Sequence, residues 1–191
     1  MSILKLSDIK KFNAPIFDLD GTLVQSSQEA TGAKALLKKF VTQPYDDRFR
    51  KYLQFKAAQS TLSKRRYINH AGIMLPKIKE LGKPMGLVTG TPGHLMRHYY
   101  NNQHLNAEAP FLKMFNCIIT GGMVQNPKPD LEGYLLALEI MGLKGKDCIA
   151  FEDSIEGVDA ALTAGLNVCS VGEADCVADF HINDFADLEK Q

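Results

Sequence analysis

The sequence is short of cysteine, of long apolar runs and of net charge. It has four cysteines in 191 residues, and none falls in a paired metal-ligand spacing. A zinc framework is therefore excluded. Cys117, Cys148 and Cys169 each sit in an apolar run, where a thiol behaves as a small hydrophobe, and Cys176 lies in a polar segment. All four are expected as reduced thiols of a cytoplasmic protein. No apolar run is long enough to span a bilayer, so no membrane partner is expected. Met1 to Asn13 mixes Lys5, Asp8, Lys10 and Lys11 among apolar residues, which is not the pattern of a secretory signal. The 45% hydrophobic and 23% charged fractions are ordinary for a globular protein. The length suits one compact domain with an insertion and a sizeable core.

The absent net charge conceals an asymmetry. Of 22 Lys+Arg and 22 Asp+Glu, the segment Gln25 to Pro84 holds 13 basic and 4 acidic residues, a balance of +9. The remainder holds 9 basic and 18 acidic residues, a balance of −9. Anionic ligands should be drawn to the first segment. It lacks interleaved basic and aromatic residues of the base-stacking type, so nucleic acid is not the expected partner.

Five strand-like runs recur: Pro15–Asp20, Met85–Thr89, Cys117–Thr120, Cys148–Glu152 and Asn167–Val171. Most are continuously apolar, as strands buried on both faces are. Helical patterns lie between them. Thr91 and Pro92 open one towards Asn101. Asp130 caps another that carries Leu131, Tyr134, Leu135, Leu138 and Met141 and stops at Gly142. Ile155, Val158, Ala161 and Leu162 form an apolar stripe ended by Gly165. This alternation predicts an α/β fold, a parallel sheet with helices on both faces. The basic segment interrupts the rhythm. Ala30, Ala33, Leu36, Leu37, Phe40 and Val41 have helical spacing, as do Phe49, Tyr52, Leu53 and Lys56, and a third helix is expected from about Lys64 to Leu81. We expect residues 1–23 and 85–191 to form the core, and 24–84 a small helical cap inserted after the first core strand.

The chemistry concentrates where strands end. Phe17-Asp18-Leu19-Asp20-Gly21-Thr22-Leu23 sets two carboxylates two residues apart, on one face if extended. Such a pair can share a hard cation, or divide the work of nucleophile and proton donor. Gly21 permits the sharp turn that follows. Thr89-Gly90-Thr91-Pro92, Asn126-Pro127-Lys128-Pro129-Asp130 and Glu152-Asp153-Ser154 follow later strand ends. In an open α/β sheet, ligands bind outside the carboxyl ends of the strands, so these four elements can converge. The prolines beside Lys128 stiffen its segment. His94 and His98, four residues apart, could suggest a metal pair; with no third ligand, a solvated helix face is the expectation.

These motifs and their order resemble the haloacid dehalogenase-like hydrolases, in the branch of phosphoglycolate phosphatases and β-phosphoglucomutases. The resemblance implies a Rossmann-like core and a Mg²⁺-dependent phosphatase acting on a small phosphorylated metabolite through an aspartyl-phosphate. It makes Asp18 the nucleophile, Asp20 the general acid and base, and Thr89, Gly90 and Lys128 the phosphate-binding groups. Asp18, the Asp20 carbonyl and Asp153 would hold the metal, with Glu152 behind them. Gln25 and Leu131 depart from the branch pattern, outside the catalytic set. Lys64, Arg65 and Arg66 are candidates for contacting an anionic group of the substrate, or else a plain surface run. A monomer or homodimer is expected.

A phosphomutase of the same branch needs the same core residues and stays open. A signalling receiver domain shares Asp, Thr, Lys and Mg²⁺, but does not pair two acids at the first strand or carry a cap. A non-catalytic phosphate or nucleic-acid binder would not retain the whole set of reactive groups.

Overall fold

Alternate residues along the central strands face opposite ways, and both faces are apolar. Phe17, Ile149, Phe151, Cys169 and Val171 point into one buried cluster. Ala14, Ile16, Cys148, Ala150 and Val168 point into a second. That double burial is why these stretches read as continuous apolar runs. The computed structural model describes residues 2–25, 65–172 and 176–190, without the side chains of residues 111 and 112.

Seven strands are described: β1 (Ser2–Ile3), β2 (Ala14–Phe17), β3 (Gly86–Val88), β4 (Cys117–Ile119), β5 (Cys148–Glu152), β6 (Asn167–Val171) and β7 (Phe180–Ile182). They form one sheet in the order β1-β7-β6-β5-β2-β3-β4. Every neighbouring pair is parallel. The strands β2 to β6 match the five runs expected from sequence; β2 is shorter, because the chain leaves the sheet after Phe17. The strands β1 and β7, at one end of the sheet, were not expected, being too short and mixed to show a pattern.

The helices among the described residues are α1 (Leu6–Ile9), α2 (Ala71–Lys79), α3 (Gly93–Tyr100), α4 (Gln103–Glu108), α5 (Glu132–Met141) and α6 (Ile155–Thr163). Residues of α1 to α4 enter the first cluster and residues of α5 and α6 the second, so helices cover both faces. None is long and apolar enough to cross a membrane. Gly142 closes α5 in the left-handed conformation, at φ 66°. Asp130 lies two residues before α5, where its carboxylate accepts from the Glu132 N–H at 2.9 Å.

Three local expectations are corrected. The helix expected from Lys64 begins at Ala71 instead. Residues 65–68 are taken up in extended pairing: Val24 bridges antiparallel to Tyr67, the Gln25 N–H donates to the Arg66 carbonyl, and the Ile68 N–H donates to the Leu23 carbonyl. In α6 the buried side is Gly157, Val158, Ala160 and Ala161, whereas Ile155 and Leu162 are exposed. His94 is exposed but His98 is buried, so the pair is not a solvated face. The two expected helices within 30–56 lie outside the described residues.

Candidate active site

Phe17 is the last residue of β2, and the Asp18 N–H still donates to the Phe151 carbonyl of β5 at 3.0 Å. This last backbone bond holds Asp18 at the carboxyl edge of the sheet. Glu152 ends β5, and Asp153 follows it. Thr89 follows β3, anchored by its N–H to the Ile119 carbonyl at 3.0 Å. Lys128 comes from the loop after β4. The parallel register thus brings the four sequence-distant elements to one end of the sheet. An open cleft there is lined by Asp18, Asp20, Thr89, Gly90, Thr91, Pro92, Asp153 and Ser154.

Lys128 joins two of the acids. Its ammonium donates to Asp18 Oδ1 at 2.7 Å, to Glu152 Oε1 at 2.6 Å and to the Val88 carbonyl at 3.0 Å. Those three bonds use all the donors of an ammonium. The Tyr134 ring lies 5.3 Å from it, and the Tyr134 hydroxyl donates to Glu152 Oε1 at 2.5 Å. Glu152 is fully buried, and Oε2 has no hydrogen-bond partner among the described residues. Burial, then the Asp18 charge, push the Glu152 carboxyl up to about 8, against the pull of Lys128 and Tyr134. Burial also raises the Asp18 carboxyl, although Lys128 opposes it. Burial would lower the Lys128 ammonium, but Asp18 and Glu152 outweigh it, so it stays protonated.

Asp153 takes a hydrogen bond from the Thr22 hydroxyl at 2.9 Å. Burial and the Asp18 charge push its carboxyl up to about 6. Oxygens of Asp18, Glu152 and Asp153 all lie within 4.8 Å of one another. Three acids thus surround one ammonium, and their oxygen-only donors suit a hard divalent cation. Gly21, at φ 104°, is part of this cradle. A methyl group there would stand 1.9 Å from Asp153 Oδ2. The residues present therefore fit a metal ion. Glu152 Oε1 is already engaged by Lys128 and Tyr134, which sets Glu152 behind the other two acids.

Asp20 has a different environment. Its Oδ1 accepts from Arg65 and from the Tyr99 hydroxyl, the latter at 2.6 Å; Oδ2 accepts from the Thr91 hydroxyl at 2.5 Å. Arg65 also donates to the Tyr99 oxygen at 2.5 Å. Thr89 is buried, and its oxygen accepts from the Thr91 N–H at 3.0 Å. Gly90 is exposed at the cleft.

Of the basic trio, Arg65 thus points at an acid of the cleft. Arg66 is exposed, with its carbonyl tied to Gln25, and Lys64 lies outside the described residues. Sequence reasoning missed Thr22, Thr91, Tyr99 and Tyr134 as site residues. The two threonines sit inside strings already singled out. Tyr134 was counted as core because it falls on an apolar helix stripe. Tyr99 carries no signal in the sequence.

Comparison with known proteins gives the family. A phosphatase of validoxylamine A 7′-phosphate from Streptomyces hygroscopicus subsp. limoneus is 26% identical over 183 residues, covering 81% of this chain and 83% of that protein. A phosphorylated carbohydrates phosphatase from Thermotoga maritima is 44% identical over 54 residues, which is 28% of this chain and 25% of that protein. The crystal structure of a β-phosphoglucomutase from Clostridium difficile superposes with a TM-score of 0.74 at 18% identity, covering 93% of each chain, a likeness of fold alone. The sequence pattern of the haloacid dehalogenase-like hydrolases matches residues 33–171, most of the chain. With three strand-end motifs lining one cleft, Lys128 bonded to Asp18 from the fourth, and this match, the chain belongs to the haloacid dehalogenase-like hydrolases.

Proposed function

We propose that this chain is a Mg²⁺-dependent phosphatase of a small phosphorylated metabolite, a phosphorylated sugar or polyol in class, working through an aspartyl-phosphate on Asp18. The observation that carries this reading is the Lys128 ammonium bonded at once to Asp18 and Glu152, at the carboxyl edge of the sheet beside Asp153. The printed names of the two phosphatase relatives support the reaction and the substrate class.

Each group has a task in phosphoryl transfer. An Asp18 oxygen attacks phosphorus, and the bond from phosphorus to the leaving oxygen breaks. Asp20 gives its proton to that oxygen, then takes one from the water that cleaves the aspartyl-phosphate. Lys128 holds positive charge beside the transferring oxygens. The Thr89 hydroxyl and the N–H groups around Gly90 donate to them. Asp18, Asp153 and the Asp20 carbonyl would hold Mg²⁺, which when bound neutralises charge on the phosphoryl group. Glu152 and Tyr134 keep Lys128 aimed.

A cap over residues 24–84 belongs to the same proposal. Val24, where the insertion starts, bridges antiparallel to Tyr67, which brings the chain back beside its point of departure. Within that reading, Lys64 and Arg66 remain candidates for an anionic group of the substrate. The cytoplasmic location expected from the thiols is retained with it.

The test is phosphate release from a panel of phosphorylated sugars, polyols and small acids, with Mg²⁺ and with EDTA. We expect turnover with Mg²⁺, none in EDTA, poor support by Ca²⁺, and loss by several orders of magnitude in Asp18→Asn. Comparable turnover by a folded Asp18→Asn variant would overturn the assignment.

A further inference from the structure

Asp20 stands two residues from Asp18, yet none of its side-chain partners comes from the sheet. Thr91 belongs to the loop after β3, Tyr99 to the last turn of α3, and Arg65 to the segment that returns from residues 26–64. Together they place three donors on one carboxylate, which fixes both its oxygens. Arg65 and Tyr99 also bond each other, and the Arg65 guanidinium lies 5.6 Å from the Tyr99 ring. The Arg65 backbone is pinned too: its carbonyl accepts from Asn102 Nδ2 at 2.8 Å. Asn102 is itself fully buried and caps α4. Tyr99 is fully buried, so its hydroxyl reaches Asp20 from the protein interior.

We propose that Tyr99 and Arg65 are positioning residues for Asp20, holding its carboxylate where it meets the leaving oxygen of the substrate. This rests on the phosphatase reading above and deepens it. It gives Arg65 a task other than contacting a distant anionic group of the substrate. The geometry favours positioning because Arg65 Nη1 donates to both Asp20 and Tyr99 and the Arg65 side chain is only 13% exposed. A buried phenol hydroxyl that donates to a carboxylate is a rigid rest for that carboxylate.

A misplaced general acid leaves a diagnostic trace. It matters when the leaving group is a poor one, such as a sugar or glycerol alkoxide, and little when the leaving group departs unaided, such as p-nitrophenolate. The ratio kcat/KM covers only the steps up to departure of the leaving group, so the later hydrolysis step does not blur the comparison. The experiment measures kcat/KM for wild type, Tyr99→Phe, Arg65→Lys and Arg65→Ala, on glycerol 3-phosphate or the best alkyl phosphate from the panel, and on p-nitrophenyl phosphate. Tyr99→Phe removes one oxygen and keeps the ring, and circular dichroism with thermal melting checks that each variant is folded.

We expect Tyr99→Phe and Arg65→Ala to lose roughly tenfold or more on the alkyl phosphate, the scale of one charged hydrogen bond, and under about twofold on p-nitrophenyl phosphate. Arg65→Lys should recover part of the loss. Equal losses on both substrates would overturn the proposal in favour of a structural role. A rise in KM confined to substrates with a second anionic group would overturn it in favour of a substrate contact. Wild type without activity on either substrate would instead count against the phosphatase reading itself.

Discussion

Asp18 and Asp20 are two residues apart and live in different physical regimes. Asp18 is 8% exposed, and its charged partner, Lys128, is shared with a second buried acid. Its position follows from β2, β5 and the loop after β4, so it is as rigid as the sheet. The Asp20 side chain is 28% exposed and is held by groups outside the sheet. A group that attacks one atom along one line gains from a fixed mount. A group that hands a proton to varied leaving oxygens, then takes one from water, is better served by a peripheral mount at the cleft mouth. In the proposed mechanism, nucleophile and proton carrier therefore come from one turn of chain while answering to different parts of the fold.

The strongest way to break this contrast is at Lys128. Lys128→Met removes the charge shared by Asp18 and Glu152. We expect kcat to fall on the order of 10²–10³, the usual scale for losing a donor aimed at developing negative charge. The loss should be the same for good and poor leaving groups, unlike that of Tyr99→Phe. The variant also buries two carboxylates without a counter-ion, so its melting temperature should fall. Adding Glu152→Gln should recover stability but not turnover, which thermal melts and kcat read separately.

Tyr134→Phe sharpens the comparison from behind Asp18. The hydroxyl is buried with Glu152 Oε1 as its acceptor, and Lys128 donates to the same oxygen. We expect about 1 kcal/mol less stability in urea unfolding, the net worth of one lost hydrogen bond, because Lys128 still serves the oxygen. The loss of kcat should be smaller than for Lys128→Met, because the ammonium stays in place.

The smallest effect on turnover is expected at a reference acid remote from the cleft. The Lys190 contact, with hydrogen bonds from the Asn183 N–H and side chain, holds the Asp187 carboxyl down at about 2, against an ordinary 3.8. A depressed carboxyl adds stability above its unfolded value and loses it as pH falls through its folded value. Asp187→Asn should therefore cost about 2 kcal/mol at neutral pH. The gap to wild type should narrow below about pH 4 and close near pH 2, with kcat at pH 7 unchanged. Denaturation at several pH values checks this.

The places where sequence reading fell short have physical causes. Strands as short as β1 and β7 leave no room for a pattern to form. Tyr134 and Tyr99 were hidden because a buried aromatic on a helix reads as core, whatever its hydroxyl meets. The residues 65–68 look helical by spacing, but pairing with residues 23–25 claims their backbone groups first. The proposed cap between them lies mostly outside the described residues.

What the sequence by itself determined was the layered α/β architecture and the identity of Asp18, Asp20, Thr89, Lys128, Glu152 and Asp153 as the groups to watch. Strand burial on both faces writes continuous apolar runs, and groups at strand ends follow those runs in the same local strings. Only the tertiary structure decided what surrounds each acid: Lys128 and Tyr134 behind Asp18, and Arg65, Tyr99 and Thr91 around Asp20. Such partnerships join side chains from elements far apart along the chain. Their distances are set by sheet order and helix packing, which no local pattern of residues encodes.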